Sequence, residues 1–242
     1  TSAFLLFLQG LRGASGGFFD QFFMSCTEFG NIHIILFLIG ILYWAYDKKF
    51  GEYLFVSFAF SRILNSFIKL TACVYRPWIE DPRIHPFEGA LKDATGYSLP
   101  SGHATSSGIL FLGTFLKGNF TKGFKIFSLI CLILICFSRC YLGVHSLLDI
   151  VVGLIIAFAS LLIVKKLFEK IDEFSKSFVA NGIKKDSLIC LLFSLLGPLA
   201  LLLGPLACIY FGIYGTRMAW NAKSWDSWDS FLKKQQIWKK YI

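Results

Sequence analysis

Charged side chains are scarce in this chain: Asp, Glu, Lys and Arg make up 16% of its 242 residues, against 55% hydrophobic and 17% aromatic. A soluble domain carries about a quarter of its residues as charges, so this composition, with a mean hydropathy of +0.62, is that of a membrane protein. Linkers rich in Gly and Ser or in Pro are absent, and apolar runs recur along most of the length. One polytopic domain is expected, not soluble domains joined by tethers. Cysteines are present without a pattern: the seven (Cys26, Cys73, Cys131, Cys136, Cys140, Cys190, Cys208) lack metal-ligand spacing and mostly lie inside apolar runs. They read as small buried hydrophobes and exclude a disulfide frame. The apolar stretch 3–8 is too short for a signal core and has no basic stretch before it, so a cleavable targeting segment is not expected. No repeat longer than the doubled GPLA at 197–200 and 204–207 is visible.

The apolar runs predict an all-α polytopic membrane bundle of about six transmembrane helices. Candidate spans are 32–46, 53–68, 101–116, 124–138 and 146–164, with the first short for a full crossing. Asp47, Lys48 and Lys49 turn the chain between the first two. The loop 75–98 holds Pro77, Pro82 and Pro86, which forbid a continuous helix there. Only a few residues separate Arg139 from His145, so the helices on either side should form a tight hairpin. The charge-free run 188–214 is about 40 Å long as a helix, more than one straight crossing needs, and Pro198 and Pro205 favour a kinked or re-entrant segment. Four regions follow: an interfacial segment 1–31, a transmembrane core 32–167, a cytoplasmic linker with a C-terminal transmembrane or re-entrant segment 168–216, and a basic aromatic tail 217–242.

A net charge of +9 could suit nucleic acid, but the basic residues cluster in short connections between apolar runs, where topology explains them. No nucleic-acid partner is expected; the bilayer is. Eleven lysines (48, 49, 117, 122, 125, 165, 166, 170, 176, 184, 185) fall on one side, while the other carries Lys69, Arg76, Arg83, Lys92 and Arg139. The second side should face away from the cytoplasm.

That outer side is where polar residues gather. Lys69 and Arg76 leave the second span, Pro100-Ser101-Gly102-His103 opens the third, and Ser138-Arg139, His145 and Asp149 bridge the fourth and fifth. Ionisable groups at the ends of apolar helices are costly unless they act together. His145 and Asp149, four apart at a helix start, share a face, so the carboxylate can hold one imidazole nitrogen and leave the other as a nucleophile. Alone, the pair reads as a helix cap. Lys69 and Arg76 are two turns apart and share a face if the helix continues; with Arg139 they suit a dianion, though each cation singly could be snorkelling. Ser101 and Gly102 begin a helix whose free amides can hold phosphate oxygens, and His103 is placed to protonate a leaving oxygen. His33 and His85 lack such company, His85 remaining a weak candidate for headgroup contact.

Lys69-x6-Arg76-Pro77, Pro100-Ser101-Gly102-His103 and Ser138-Arg139-x5-His145-x3-Asp149 together resemble the three-part signature of the type 2 phosphatidic acid phosphatase (PAP2) superfamily, over residues 50–165 or so. The resemblance implies a PAP2-like helical core and a phosphohistidine on His145, with Asp149 orienting it. Lys69, Arg76, Arg139, Ser101 and the Gly102 amide would stabilise the transition state, and His103 would serve as acid and then base. It implies no metal and no cofactor, in keeping with the lack of an Asp/Glu/His ligand cluster.

The expected function is a lipid phosphate or lipid diphosphate phosphatase, integral and multi-pass, in a bacterial inner (plasma) membrane with its site facing outward. Phosphatidate, phosphatidylglycerol phosphate and a polyprenyl diphosphate such as undecaprenyl diphosphate are the candidate substrates. A lipid phosphotransferase would use the same intermediate, and a phospholipid binder or transporter would need the cations without the histidines. The sequence specifies no oligomeric state.

Overall fold

A computed structural model describes residues 2–179 except 93 and 95, with side chains as far as 173. Every regular element among the described residues is helical: α1 (Ser2–Ala14), α2 (Asp20–Glu28), α3 (Ile32–Ile41) running into a π-helical turn (Leu42–Tyr46), α4 (Lys48–Ala72), α5 (Pro77–Glu80), α6 (Glu88–Leu91), α7 (Gly102–Lys117), α8 (Lys122–Tyr141) and α9 (Leu147–Val179).

Polar caps start the helices where the sequence supplies them. Asp47 accepts the amides of Lys49 and Phe50 at 2.8 and 3.2 Å, which begins α4. Asn31, Ser101 and Thr121 cap α3, α7 and α8 in the same way. Helix α4 stops at Ala72, where Cys73 takes a left-handed conformation (φ 47°). The chain then turns, and Arg76 precedes α5 with Pro77 in its first turn. Lys69 and Arg76 therefore do not share one continuous helical face. Two short helices, α5 and α6, are all that the prolines allow between 75 and 98.

Three helical stretches are long and apolar enough to cross a membrane: Lys48–Glu80, Lys122–Tyr141 and Leu147–Glu173. A fourth arises if α2 and α3, bent by 54°, act as one broken span. The described residues are thus those of a helical membrane protein, while the run 188–214 and the tail 217–242 lie outside them. Helix α9 passes straight through the expected boundary at 167 to reach Val179. Its charges alternate in sign there, and Lys165 and Glu169, one turn apart, come within 3.9 Å. Residues 2–28, expected as an interfacial segment, form α1 and α2, which both pack along α8 in one compact unit with the rest of residues 1–173.

The interior is layered around α7. Ile35, Leu54, Ile109 and Leu161, from α3, α4, α7 and α9, form an apolar core below the polar end. Small and hydroxylated residues bring helices close above it: Asn65 of α4 donates to Thr105 of α7 at 2.9 Å, and both are buried. Gly153 of α9 faces the start of α7 so tightly that a Cβ there would stand 2.8 Å from the Ser101 carbonyl. Large apolar side chains such as Phe37, Trp44, Ile126 and Ile155 point outward, as lipid contact requires.

Gly153→Ala should lower the thermal unfolding midpoint in detergent, by a stability loss of about 1–3 kcal/mol, because backbone and not a flexible side chain blocks the new methyl. Gly123→Ala, with open space around it, is the control that should not lower it.

Candidate active site

Asp149 sits in the first turn of α9, and Ser146 caps that turn. The Ser146 amide donates to Asp149 Oδ2 at 2.7 Å, and the Asp149 amide donates to Ser146 Oγ at 3.3 Å, a reciprocal capping box. This folds the carboxylate back past the helix start, toward His145. His145 Nδ1 lies 3.3 Å from the same Oδ2, and Ser98 Oγ donates to it at 2.6 Å. The expected pair therefore forms, but by a cap: His145 precedes α9 and does not share a helical face with Asp149. The Asp149 carbonyl in turn accepts the amide of Ser101 at 2.9 Å, which joins the start of α9 to the start of α7.

Arg76 reaches the other side of the imidazole. Its Nη1 lies 3.0 Å from His145 Nε2 and donates to the Val144 carbonyl, also at 3.0 Å, while its Nε donates to the Gly96 carbonyl. With Asp149 accepting from Nδ1 and a guanidinium donating to Nε2, His145 is the Nδ1–H tautomer, its lone pair on Nε2. Burial, reinforced by the Arg76 and Arg139 charges, holds its pKa well below the ordinary 6.5, against the opposing pull of Asp149. A neutral, unprotonated Nε2 is what a nucleophile requires.

Arg139 is buried at the end of α8, with Nη1 donating to Thr27 Oγ1 of α2 at 2.8 Å and its carbonyl receiving the amides of Val144 and His145. Lys69 lies within electrostatic reach of Arg76, Arg62, Asp149 and Arg139. His103, in the first turn of α7, lies within electrostatic reach of Arg139, His145, Arg62 and Arg76. Its Nε2 is buried and finds no hydrogen-bond partner among the described residues. A Cβ on Gly30 would come within 3.1 Å of its ring. Ser101 is fully buried, and its hydroxyl accepts from Ala104 as the α7 cap. The first-turn amides of Gly102 and His103 have no intrahelical acceptor.

All eight residues expected at the site, Lys69, Arg76, Ser101, Gly102, His103, Arg139, His145 and Asp149, thus gather at one end of the bundle. His85 instead meets α1 through its backbone, its amide donating to Gln9 and its carbonyl accepting from Arg12. Among the described residues no group of His, Cys, Asp and Glu is arranged to hold a metal.

The PAP2 superfamily model matches residues 51–173, just over half of the chain. The chain belongs to the PAP2 superfamily. Lipid phosphate phosphatase delta of Arabidopsis thaliana is 28% identical over 177 residues, which cover 69% of this chain and 42% of that protein. Sphingosine-1-phosphate phosphatase 1 of Mus musculus is 26% identical, over 65% of this chain and 37% of its own length. The chain thus spans about two fifths of these relatives. Phosphatidylglycerophosphatase B of Bacillus subtilis is 28% identical over 58% of this chain and 69% of its own. The crystal structure of Aquifex aeolicus LpxE shares the fold, with a TM-score of 0.55 at 23% identity over 67% of this chain and 94% of that one. The PAP2-type phosphatidylglycerolphosphate phosphatase structure from Bacillus subtilis does so at 0.52 and 23% identity, over 70% of this chain and 86% of that one.

Sequence reasoning missed Ser98, Thr27 and Arg62. Ser98 and Thr27 carry no local signal, since their partners are 51 and 112 residues away. Arg62 could have been found: it stands seven residues before Lys69, as Lys69 stands before Arg76.

Two outcomes follow from this geometry. Ser98→Ala should reduce turnover about tenfold with little change in KM, since one charge-assisted hydrogen bond to the orienting carboxylate is lost. His145 should stay neutral from pH 8 down to pH 5 in the folded protein, its ring nitrogen shifts by NMR showing one Nδ1–H tautomer throughout. A midpoint near 6.5 would contradict the burial argument. The sign of the linked effect is fixed: the unfolded imidazole takes a proton below about 6.5 and the folded one does not, so stability falls as the pH drops through that value.

Proposed function

We propose that the protein is a metal-independent membrane lipid phosphatase that works through a phosphohistidine. One observation carries this reading: His145, its Nδ1 held by Asp149, presents Nε2 to Arg76, in a cluster of cations that Lys69, Arg62 and Arg139 share. Simple phosphate binding needs the cations but not an oriented imidazole with a second histidine beside it.

The steps balance on the residues present. The Nε2 lone pair of His145 attacks phosphorus, and the bond from phosphorus to the leaving oxygen breaks. His103 gives that oxygen a proton. Lys69, Arg76, Arg139, Ser101 and the Gly102 amide hold the three equatorial oxygens, so the charge of the transition state meets donors fixed in advance. Water then attacks the phosphohistidine, His103 takes its proton, and phosphate leaves with His145 restored. Arg76 donates to Nε2 in the resting site, so the incoming dianion must compete for that guanidinium as it arrives.

An apolar cavity of about 500 Å³ supports a lipid as substrate. It runs between α3, α7 and α8, past Leu38, Ile41, Phe111 and Phe127 to Ile135. Ile135 is the residue that, together with the His103 ring, closes on Gly30. One wall of the cavity, at Ile135, thus neighbours His103, the side from which a leaving alkyl group departs, and the cavity fits a lipid chain. The lysines at the far ends of α4, α7 and α8 support a cytoplasmic placement for those ends and an outward one for the site. On this reading α3 with its π turn, α4, α7, α8 and α9 each cross the membrane.

Phosphate release by the detergent-purified protein tests this, from phosphatidate, phosphatidylglycerol phosphate, a polyprenyl diphosphate, a sphingoid phosphate and a soluble ester. At least one lipid should be cleaved, vanadate should inhibit as a transition-state mimic, and EDTA should not. His145→Ala should cost about 10³-fold or more in turnover. Wild-type protein that cleaves none of the panel, or a variant that keeps full turnover, sinks the proposal.

A further inference from the structure

Arg62 is an arginine inside the membrane-crossing part of α4, half-buried, whose guanidinium faces no carboxylate among the described residues. Such a residue is costly in hydrocarbon and is kept where it meets an anion. It lies two turns before Lys69, about 10 Å deeper along the helix. Its side chain reaches the start of α7, where a Cβ added to Gly102 would sit 3.1 Å from Arg62 Nη1. The charge of Arg62 acts on Lys69 and on His103. Arg76, by contrast, is the guanidinium against the nucleophile His145.

We infer that Arg62, where its side chain reaches the start of α7, forms a subsite for a second phosphate of the substrate, placed between the scissile phosphate and the lipid chain. The inference rests on the phosphatase reading above and narrows its substrate class. In an in-line displacement the leaving oxygen departs opposite the nucleophile, on the His103 side. A lipid enters with its chain toward the membrane interior, so whatever follows the scissile phosphate lies deeper, at the level of Arg62. If the leaving group is a plain alcohol, as with phosphatidate, no anion stands there. A sphingoid phosphate would place an ammonium near the guanidinium, which is repulsive. A second phosphate meets Arg62 in two chemistries: bonded directly, as in a lipid diphosphate, or through a glycerol, as in phosphatidylglycerol phosphate.

For the diphosphate, His145 Nε2 bonds to the terminal phosphorus and the bond from that phosphorus to the bridging oxygen breaks. The lipid monophosphate departs carrying the bridging oxygen, which takes the proton of His103, while Arg62 balances its charge. Water hydrolyses the phosphohistidine as before.

The test compares kcat/KM of wild type, Arg62→Gln and Arg62→Lys, in detergent, on a polyprenyl diphosphate, phosphatidylglycerol phosphate, phosphatidate and a sphingoid phosphate. Wild type should prefer one of the two-phosphate lipids, and which one identifies the spacing. Arg62→Gln should lose about 10- to 100-fold more on that lipid than on phosphatidate, as one ionic hydrogen bond is worth, and Arg62→Lys should recover part of the difference. Equal losses on every substrate, or no loss, overturn the subsite while leaving the phosphatase intact. Wild type cleaving none overturns the phosphatase reading itself. If Arg62→Gln does not fold, competition on wild type with a soluble ester decides: pyrophosphate should inhibit at least about tenfold better than orthophosphate, and equal inhibition overturns the subsite.

Discussion

Asp149 accepts hydrogen bonds from Ser98, Ser146 and His145 through one carboxylate oxygen, and its backbone carbonyl receives the amide of Ser101. Through that one residue the loop before α7, the start of α7, His145 and the start of α9 are fixed to one another. The close approach of Gly153 to the Ser101 carbonyl keeps the two helix starts at that distance, and Asn65 with Thr105 ties α4 to the same layer. Below it the helices are joined by apolar contact that many sequences could supply. The polar end tolerates far less, because Asp149, Arg76 and Ser101 each meet specific partners there.

The same end holds an imbalance of charge. Arg62, Lys69, Arg76 and Arg139 share their surroundings with one carboxylate, in a region where Arg76 is 2% and Arg139 0% exposed. Cations withdrawn from water without matching anions weaken a fold. Carbonyls of Gly96 and Val144 and the hydroxyl of Thr27 meet part of that cost with neutral dipoles. A dianionic phosphoryl group would meet the rest, and more fully as its charge spreads over three oxygens in the transition state. On the proposed reading, binding relieves a tension that folding has already built.

Much of this was legible in the chain itself. The apolar runs located α3, α4, α7, α8 and α9, and the prolines of 75–98 marked where no long helix could form. The spacing of Lys69, Arg76, Ser101, His103, Arg139, His145 and Asp149 singled out residues that the fold gathers at one end of the bundle, because few arrangements bring so many ionisable groups to helix ends by chance. Local geometry was harder to read. The left-handed Cys73 ends α4 before Arg76, and the Ser146–Asp149 capping box sets His145 outside α9, so both pairs meet by turns in the chain and not along a helical face. Helix α9 outran its apolar stretch since alternating charges support a helix as well as greasy ones do. Thr27 and Ser98 were beyond reach, being ordinary hydroxyls until the fold set them against Arg139 and Asp149.

The contact between Arg76 and His145 Nε2 bears on how such a site behaves when it is idle. An imidazole poised for attack is also a good ligand for stray metal ions and a good target for electrophiles, and a neutral one in a dry pocket is more exposed to both. Here the lone pair already accepts a hydrogen bond at 3.0 Å from a guanidinium that is itself anchored on two backbone carbonyls. Only a group with enough negative charge to draw that guanidinium onto itself uncovers the nitrogen. On the proposed reading the arginine is a safety catch released by the cargo, and chemical restraint in the empty site comes from the same side chain that would hold the phosphate in the full one.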